Sequence, residues 1–145
     1  MTTLVETLRD PERKRAIIMD GVLLIDREVA SKRGLSGRFL RAGYRAVRTL
    51  APRFTAMALE HLLPEFAPAV DPHYAKARES EDVRAYFVNH GGDIADSMLA
   101  VTDARARRAK NRAIKSIYQK LRAKAREHVI AAMPGLAELV VKHVP

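Results

Sequence analysis

Residues 16–30 read AIIMDGVLLIDREVA. Apolar side chains recur around nearly the whole circumference of a 3.6-residue turn, and nothing alternates with the period of two that a half-buried strand requires. A segment of this kind is a helix enclosed by other helices rather than one lying on a surface. Upstream, Asp10 and Pro11 supply an N-cap followed by proline at the first helical position, and downstream Gly34 supplies a left-handed stop. The spacing therefore predicts a helix over 11–32, and its apolar circumference makes it the expected central element. The same helical period appears in every other periodic segment, and no alternating runs flank an Asn-Gly or Asp-Gly turn. The expected fold is all-α: a multi-helix bundle of six to eight helices in a single domain spanning 1–145.

Further along, Ser36 is placed to cap a second helix running to about Ala51. Pro52 opens a third, PRFTAMALEHLL, which Pro64 is expected to end. The stretch PEFAPAVDPHYAKARES carries Pro64, Pro68 and Pro72 and reads as a short helical turn and a linker. Beyond it, Ser80 to Asn89 reads as helix, Gly91-Gly92 as a break and Asp93 as the cap of a helix over 94–108. A long basic helix then runs to Met133-Pro134-Gly135, and a last one covers 135–143.

Two halves of the chain look alike. LRAGYRAVRTLAPRFTAMALEHLLPEFAPAV around Tyr44 parallels IKSIYQKLRAKAREHVIAAMPGLAELV around Tyr118, and Asp20 and Asp26 upstream of one parallel Asp96 and Asp103 upstream of the other. An internal repeat over about 11–70 and 81–143 implies two related helical halves in a pseudo-twofold arrangement, joined near residues 68–80. Asp26 and Asp103 are each expected to pair with an Arg or a Tyr.

The chain has 145 residues, 48% of them apolar, which is enough to bury a core without staples. It has no cysteine, which removes disulfides, thiolate metal sites and thiol nucleophiles and suits a reducing compartment. MTTLVETLRDPERKR mixes acids and bases where an export signal needs a basic start and an apolar run. The longest near-apolar stretch, Ala16 to Ile25, is about half of the roughly 20 residues a transmembrane helix requires. No membrane span is expected, and the expected location is cytoplasmic. With 26 Lys and Arg against 17 Asp and Glu, a net charge of +9 favours encounter with nucleic acid or an anionic lipid surface.

That charge is concentrated. Val29 to Leu59 contains no acid and carries Lys32, Arg33, Arg38, Arg41, Arg45, Arg48 and Arg53, while Ala104 to Arg126 carries ten basic residues and no acid. On a helical wheel Arg38, Arg41, Arg45 and Arg48 fall within about 80 degrees, with Leu40, Gly43, Tyr44, Val47, Leu50 and Ala51 opposite. A basic stripe facing away from the core is expected. The second segment groups Arg108, Arg112, Lys115, Arg122 and Arg126, with Arg105 just before them, opposite Ile114, Ile117, Tyr118 and Leu121. These ten cations are the candidate polyanion-binding residues, since the arginine fork grips phosphate oxygens bidentately. A solvated helix face explains the same pattern. Within the first segment Ala30, Gly34, Leu35, Ser36 and Leu40 match the spacing of a helix-turn-helix DNA reader, which would put Arg38 and Arg41 on base edges. A glycine stop followed by a serine cap leaves the same trace.

Catalytic constellations are not visible. His61, His73, His90, His128 and His143 are scattered without metal-ligand spacing, no glycine-rich phosphate loop occurs, and no cofactor or metal is expected. The segments MTTLVETL, EVASKRGLSG, LLPEF, MLAVTDARA and AAMPGLAELVVKH together resemble a family of small bacterial all-helical proteins that is itself a domain of unknown function. The resemblance covers most of the chain. It implies an all-helical fold and a bacterial cytoplasmic setting, and it carries no activity, cofactor or site.

The functional expectation is a non-enzymatic basic module that binds a polyanion, DNA or RNA, through the two cationic stripes. The alternatives are a protein-interaction or homo-oligomerisation scaffold, and a peripheral binder of an anionic membrane surface, for which FLRAGYRAVRTLAPRF has the composition.

Overall fold

The computed structural model describes residues 2–145, and all regular structure among them is helical. Eight helices follow one another: α1 (Leu4–Thr7), α2 (Pro11–Ser31), α3 (Gly34–Leu50), α4 (Phe54–Glu79), α5 (Val83–Asn89), α6 (Gly91–Arg108), α7 (Arg112–Ala131) and α8 (Met133–His143). Asp10 caps α2 by accepting the Glu12 amide at 3.0 Å, with Pro11 at the start of the helix. Gly34 is left-handed, with φ of 76°. The second helix begins at that glycine, so Ser36 lies inside its first turn and caps nothing. Gly91 and Gly92 likewise belong to α6, and His90 occupies the cap position expected of Asp93.

The largest departure from the sequence reading is α4. Pro64, Pro68 and Pro72 sit inside one continuous 26-residue helix, so the stretch expected to be a short turn and a linker is helical as far as Glu79. Each proline removes an amide and crowds the carbonyl four residues earlier. Here the spacing of four stacks all three on one exposed stripe, where the orphaned carbonyls reach water. The opposite stripe, Leu63, Ala67, Val70, Tyr74 and Ala77, is buried. That burial, at about 1.5–3 kcal/mol for each large side chain, offsets the local cost.

The same stripe makes α4 the central helix. It touches α1, α2, α3, α5 and α6. Helix α2, expected at the centre, buries only Ile17 and Gly21 and leaves Met19 and Leu23 more than half exposed. The core joins Leu4, Ile17, the α4 stripe, Phe87, Ile94, Met133, Ala137, Val140 and Val144. Asp20 locks α8 onto α2, accepting from Lys142 at 2.8 Å and lying 2.6 Å from the buried His143 ring. The core therefore lies in α1, α5, α8 and the adjoining halves of α2, α4 and α6. Beyond it, α3 and α7 bury one residue between them, Gly37.

Candidate functional site

Helix α3 is held to the rest of the chain mainly by polar contacts. Gly37 seats against the end of α2, where an added Cβ would fall 2.8 Å from the Lys32 carbonyl carbon. One turn on, Arg41 donates to the Lys32 carbonyl oxygen. The Tyr44 hydroxyl then donates to Asp26 at 2.6 Å, Arg48 donates to the same carboxylate oxygen at 2.9 Å, and Thr55 at the start of α4 lies 2.7 Å from the Tyr44 hydroxyl. Burial first, and the bond to Asp26 second, hold the Tyr44 hydroxyl above its ordinary titration range.

Helix α7 repeats this anchor on α6. Asn111 caps it by accepting the Ala113 amide at 2.8 Å. The Tyr118 hydroxyl donates to Asp103, Arg122 donates to the same carboxylate at 2.9 Å, and Thr102 lies 2.8 Å from the tyrosine hydroxyl. The Arg122 bond, followed by the Tyr118 bond, lowers the Asp103 carboxyl below its usual range. Arg126 adds a second link, to Asp96 at 2.8 Å. Asp26 and Asp103 thus do pair with a Tyr and an Arg, as their positions in the sequence suggested. Asp20 and Asp96 do not match each other, because one binds α8 and the other α7.

These anchors rotate both helices from the expected orientation without reversing it, since Leu40, Tyr44 and Tyr118 of the expected core side do lie half-buried. Arg41 and Arg48 on α3, and Lys115 and Arg122 on α7, lie half-buried against their neighbours. Other side chains expected to face the core point to solvent, with Leu50 88% exposed and Ile114, Ile117 and Leu121 between 55% and 59%, and beside them Phe39 and Leu35 are 71% exposed. The physical reason lies beneath them. The distal end of α2 presents the Asp26 carboxylate to α3, so the side of α3 that carries Tyr44 and Arg48 turns inward to satisfy it. At the corner between α3 and α4, Ala51, Pro52, Phe54, Met57 and Ala58 extend the apolar surface into an open groove.

The ten candidate cations divide accordingly. Arg41 and Arg48 are engaged on α3, Arg122 and Arg126 on α7, and Arg105 and Arg108 both pair with Glu65 of α4. Among the described residues Arg38, Arg45, Arg112 and Lys115 form no ion pair. The stripe of Arg38, Arg41, Arg45 and Arg48 is therefore split, with alternate members held by the chain. In the helix-turn-helix comparison, Ala30 should be the residue that lets two helices approach. Here it is exposed, and Gly37 makes the close contact instead.

The outward apolar residues are not legible in the sequence, because an amphipathic period is ordinarily spent on a core. The signal that could have identified them is the company they keep: small residues Ala42, Gly43 and Ala46 beside them, and acid-free surroundings.

Compared with known proteins, residues 4–144 match the model of a family of unknown function, DUF6918. The chain belongs to that family. Neither a curated protein nor a solved structure matches it. No helix among the described residues is long and apolar enough to cross a membrane.

Proposed function

We propose that this protein is a non-enzymatic, peripheral binder of anionic membrane surfaces, with α3 and α7 as its lipid-contacting helices. The observation that carries this reading is the outward apolar face of each helix inside an acid-free cationic segment. Apolar side chains that enter the headgroup boundary, flanked by Lys and Arg that meet anionic lipid, are the two components of interfacial binding. A second copy of the chain covers the same faces less well. An isologous contact would set identical patches together, bringing Arg38 and Arg45 near their own counterparts with no carboxylate between them.

The recurrence of the Asp–Tyr–Arg anchor in α2–α3 and α6–α7 supports two related halves, about 11–70 and 81–143, in a pseudo-twofold arrangement, each contributing one lipid-contacting helix. Nucleic-acid binding through Arg38, Arg45, Arg112 and Lys115 is the competing reading, and it leaves the apolar faces without a role.

Co-sedimentation with vesicles tests this. The protein is expected to bind phosphatidylcholine vesicles containing phosphatidylglycerol, not phosphatidylcholine alone, and to retain part of that binding at high salt, because apolar burial is not screened. Phosphate contacts to DNA would weaken steeply over the same salt range. Absence of vesicle binding, together with a salt-sensitive gel shift, would replace the membrane reading with the nucleic-acid one.

A further inference from the structure

The apolar faces do not account for the cluster at the start of α3. Arg33, Arg38 and Arg41, with Gly34 and Leu35, line one open pocket of about 250 Å3. The left-handed turn at Gly34 brings Arg33 of the connecting segment beside the two arginines of the helix. Among the described residues none of the three is in an ion pair; Glu28, the nearest acid along the chain, is taken by Lys32 at 3.6 Å. Arg41 is tethered through one guanidinium N–H to the Lys32 carbonyl. Arginines do not deprotonate in proteins, so three like charges surround one cavity with no counter-charge supplied by the chain. An anion carrying more than one charge relieves that repulsion, and the planar guanidinium forks match the terminal oxygens of a phosphate. Leu35, also in the pocket lining, is 71% exposed and begins the apolar face of α3 that continues through Phe39. The pocket therefore joins an anion site to a surface suited to hydrocarbon.

We infer that this pocket takes the phosphomonoester headgroup of an anionic lipid, an inference that rests on the membrane reading above. A monoester offers three terminal oxygens and close to two negative charges near neutral pH. A phosphodiester headgroup such as phosphatidylglycerol offers two oxygens and one charge. The site thus selects the monoester, while α3 and α7 supply general affinity for the surface.

The test compares phosphatidylcholine vesicles containing phosphatidic acid with ones containing phosphatidylglycerol, adjusted to equal surface potential. The native protein is expected to bind the phosphatidic acid vesicles about tenfold more tightly, the scale of one additional charge-assisted contact. The double variant Arg33→Gln, Arg38→Gln is expected to bring that ratio close to one. A control that removes equal charge elsewhere, Arg9→Gln with Arg15→Gln, should keep it. Equal binding of the native protein to both vesicles at matched potential overturns the pocket and leaves the membrane reading standing. Binding to neither overturns both. Displacement by duplex DNA without any preference between vesicles, or by glycerol 3-phosphate without such preference, assigns the arginines to another phosphate source and also overturns the inference. Circular dichroism of the variants, whose altered side chains are exposed, confirms that the fold persists.

Discussion

At the scale of single residues, the anchors of α3 and α7 decide which side of each helix meets water. Asp103 accepts from Tyr118 and Arg122 together, with a third of its side chain exposed. Asp103→Asn keeps the shape but removes the charge that both donors address. The expected cost is about 1–2 kcal/mol, at the low end for a charged hydrogen bond because solvent reaches the site. Urea denaturation monitored by circular dichroism checks it, and a midpoint equal to the native one would show that the anchor contributes nothing. Of this site, the pairing of Asp26 and Asp103 with Tyr and Arg was legible in the sequence, because each aspartate sits near the end of an apolar helix just before an acid-free segment. The identity of the inward face was not. Arg48 and Leu50 are close in sequence and lie on opposite sides of one helix, and periodicity alone assigns no direction to either.

At the scale of elements, two helices behave against their local chemistry. In α4 the three prolines lie on the exposed stripe, so Pro68→Ala restores an amide without disturbing the buried one. It is expected to stabilise the protein by about 1–2 kcal/mol, less than the roughly 3 kcal/mol of an interior proline, because proline also restricts the unfolded chain. A rise in denaturation midpoint checks this. Unchanged or lowered stability would show that the restriction proline places on the unfolded chain outweighs the amide it removes. In α3 and α7, Phe39→Glu with Ile117→Glu changes side chains that touch little, so stability should stay within about 0.5 kcal/mol for each surface substitution. Binding to phosphatidylglycerol vesicles should fall to the neutral-vesicle level. A large loss of stability would instead mean that these side chains are covered by the chain itself, contrary to their exposure.

At the scale of the whole molecule, ion pairs between elements make stability depend on pH in a defined direction. The Lys142 bond lowers the Asp20 carboxyl, Arg105 that of Glu65, Arg126 that of Asp96 and Arg122 that of Asp103. A carboxyl held low in the native state stabilises it above the unfolded value, 3.8 for Asp and 4.5 for Glu. That contribution is lost as pH falls through the native values. Burial lowers His73 and His128 below 6.5, so the unfolded chain takes up these protons first and stability begins to decline below that pH. Thermal melts should show a shallow fall from pH 7 to 5 and a steeper one below about pH 4.5. Asp20→Asn should flatten the acid limb, and an acid limb unchanged in that variant would exclude the α2–α8 lock as its source.

The sequence by itself determined that the protein is all-helical, that α2 starts at the Asp10 and Pro11 cap, that Gly34 turns left-handed, and that its positive charge lies in two acid-free segments. Each of these rests on local chemistry, on caps, φ preferences and the spacing of side chains along a few turns. Only the tertiary structure decided that α4 runs straight through Pro64, Pro68 and Pro72, that it displaces α2 from the centre, and that α3 and α7 turn their apolar faces outward. Those outcomes depend on what lies across from each helix: a long buried stripe strong enough to override three prolines, and carboxylates at Asp26 and Asp103 that claim the polar side of the helices placed against them.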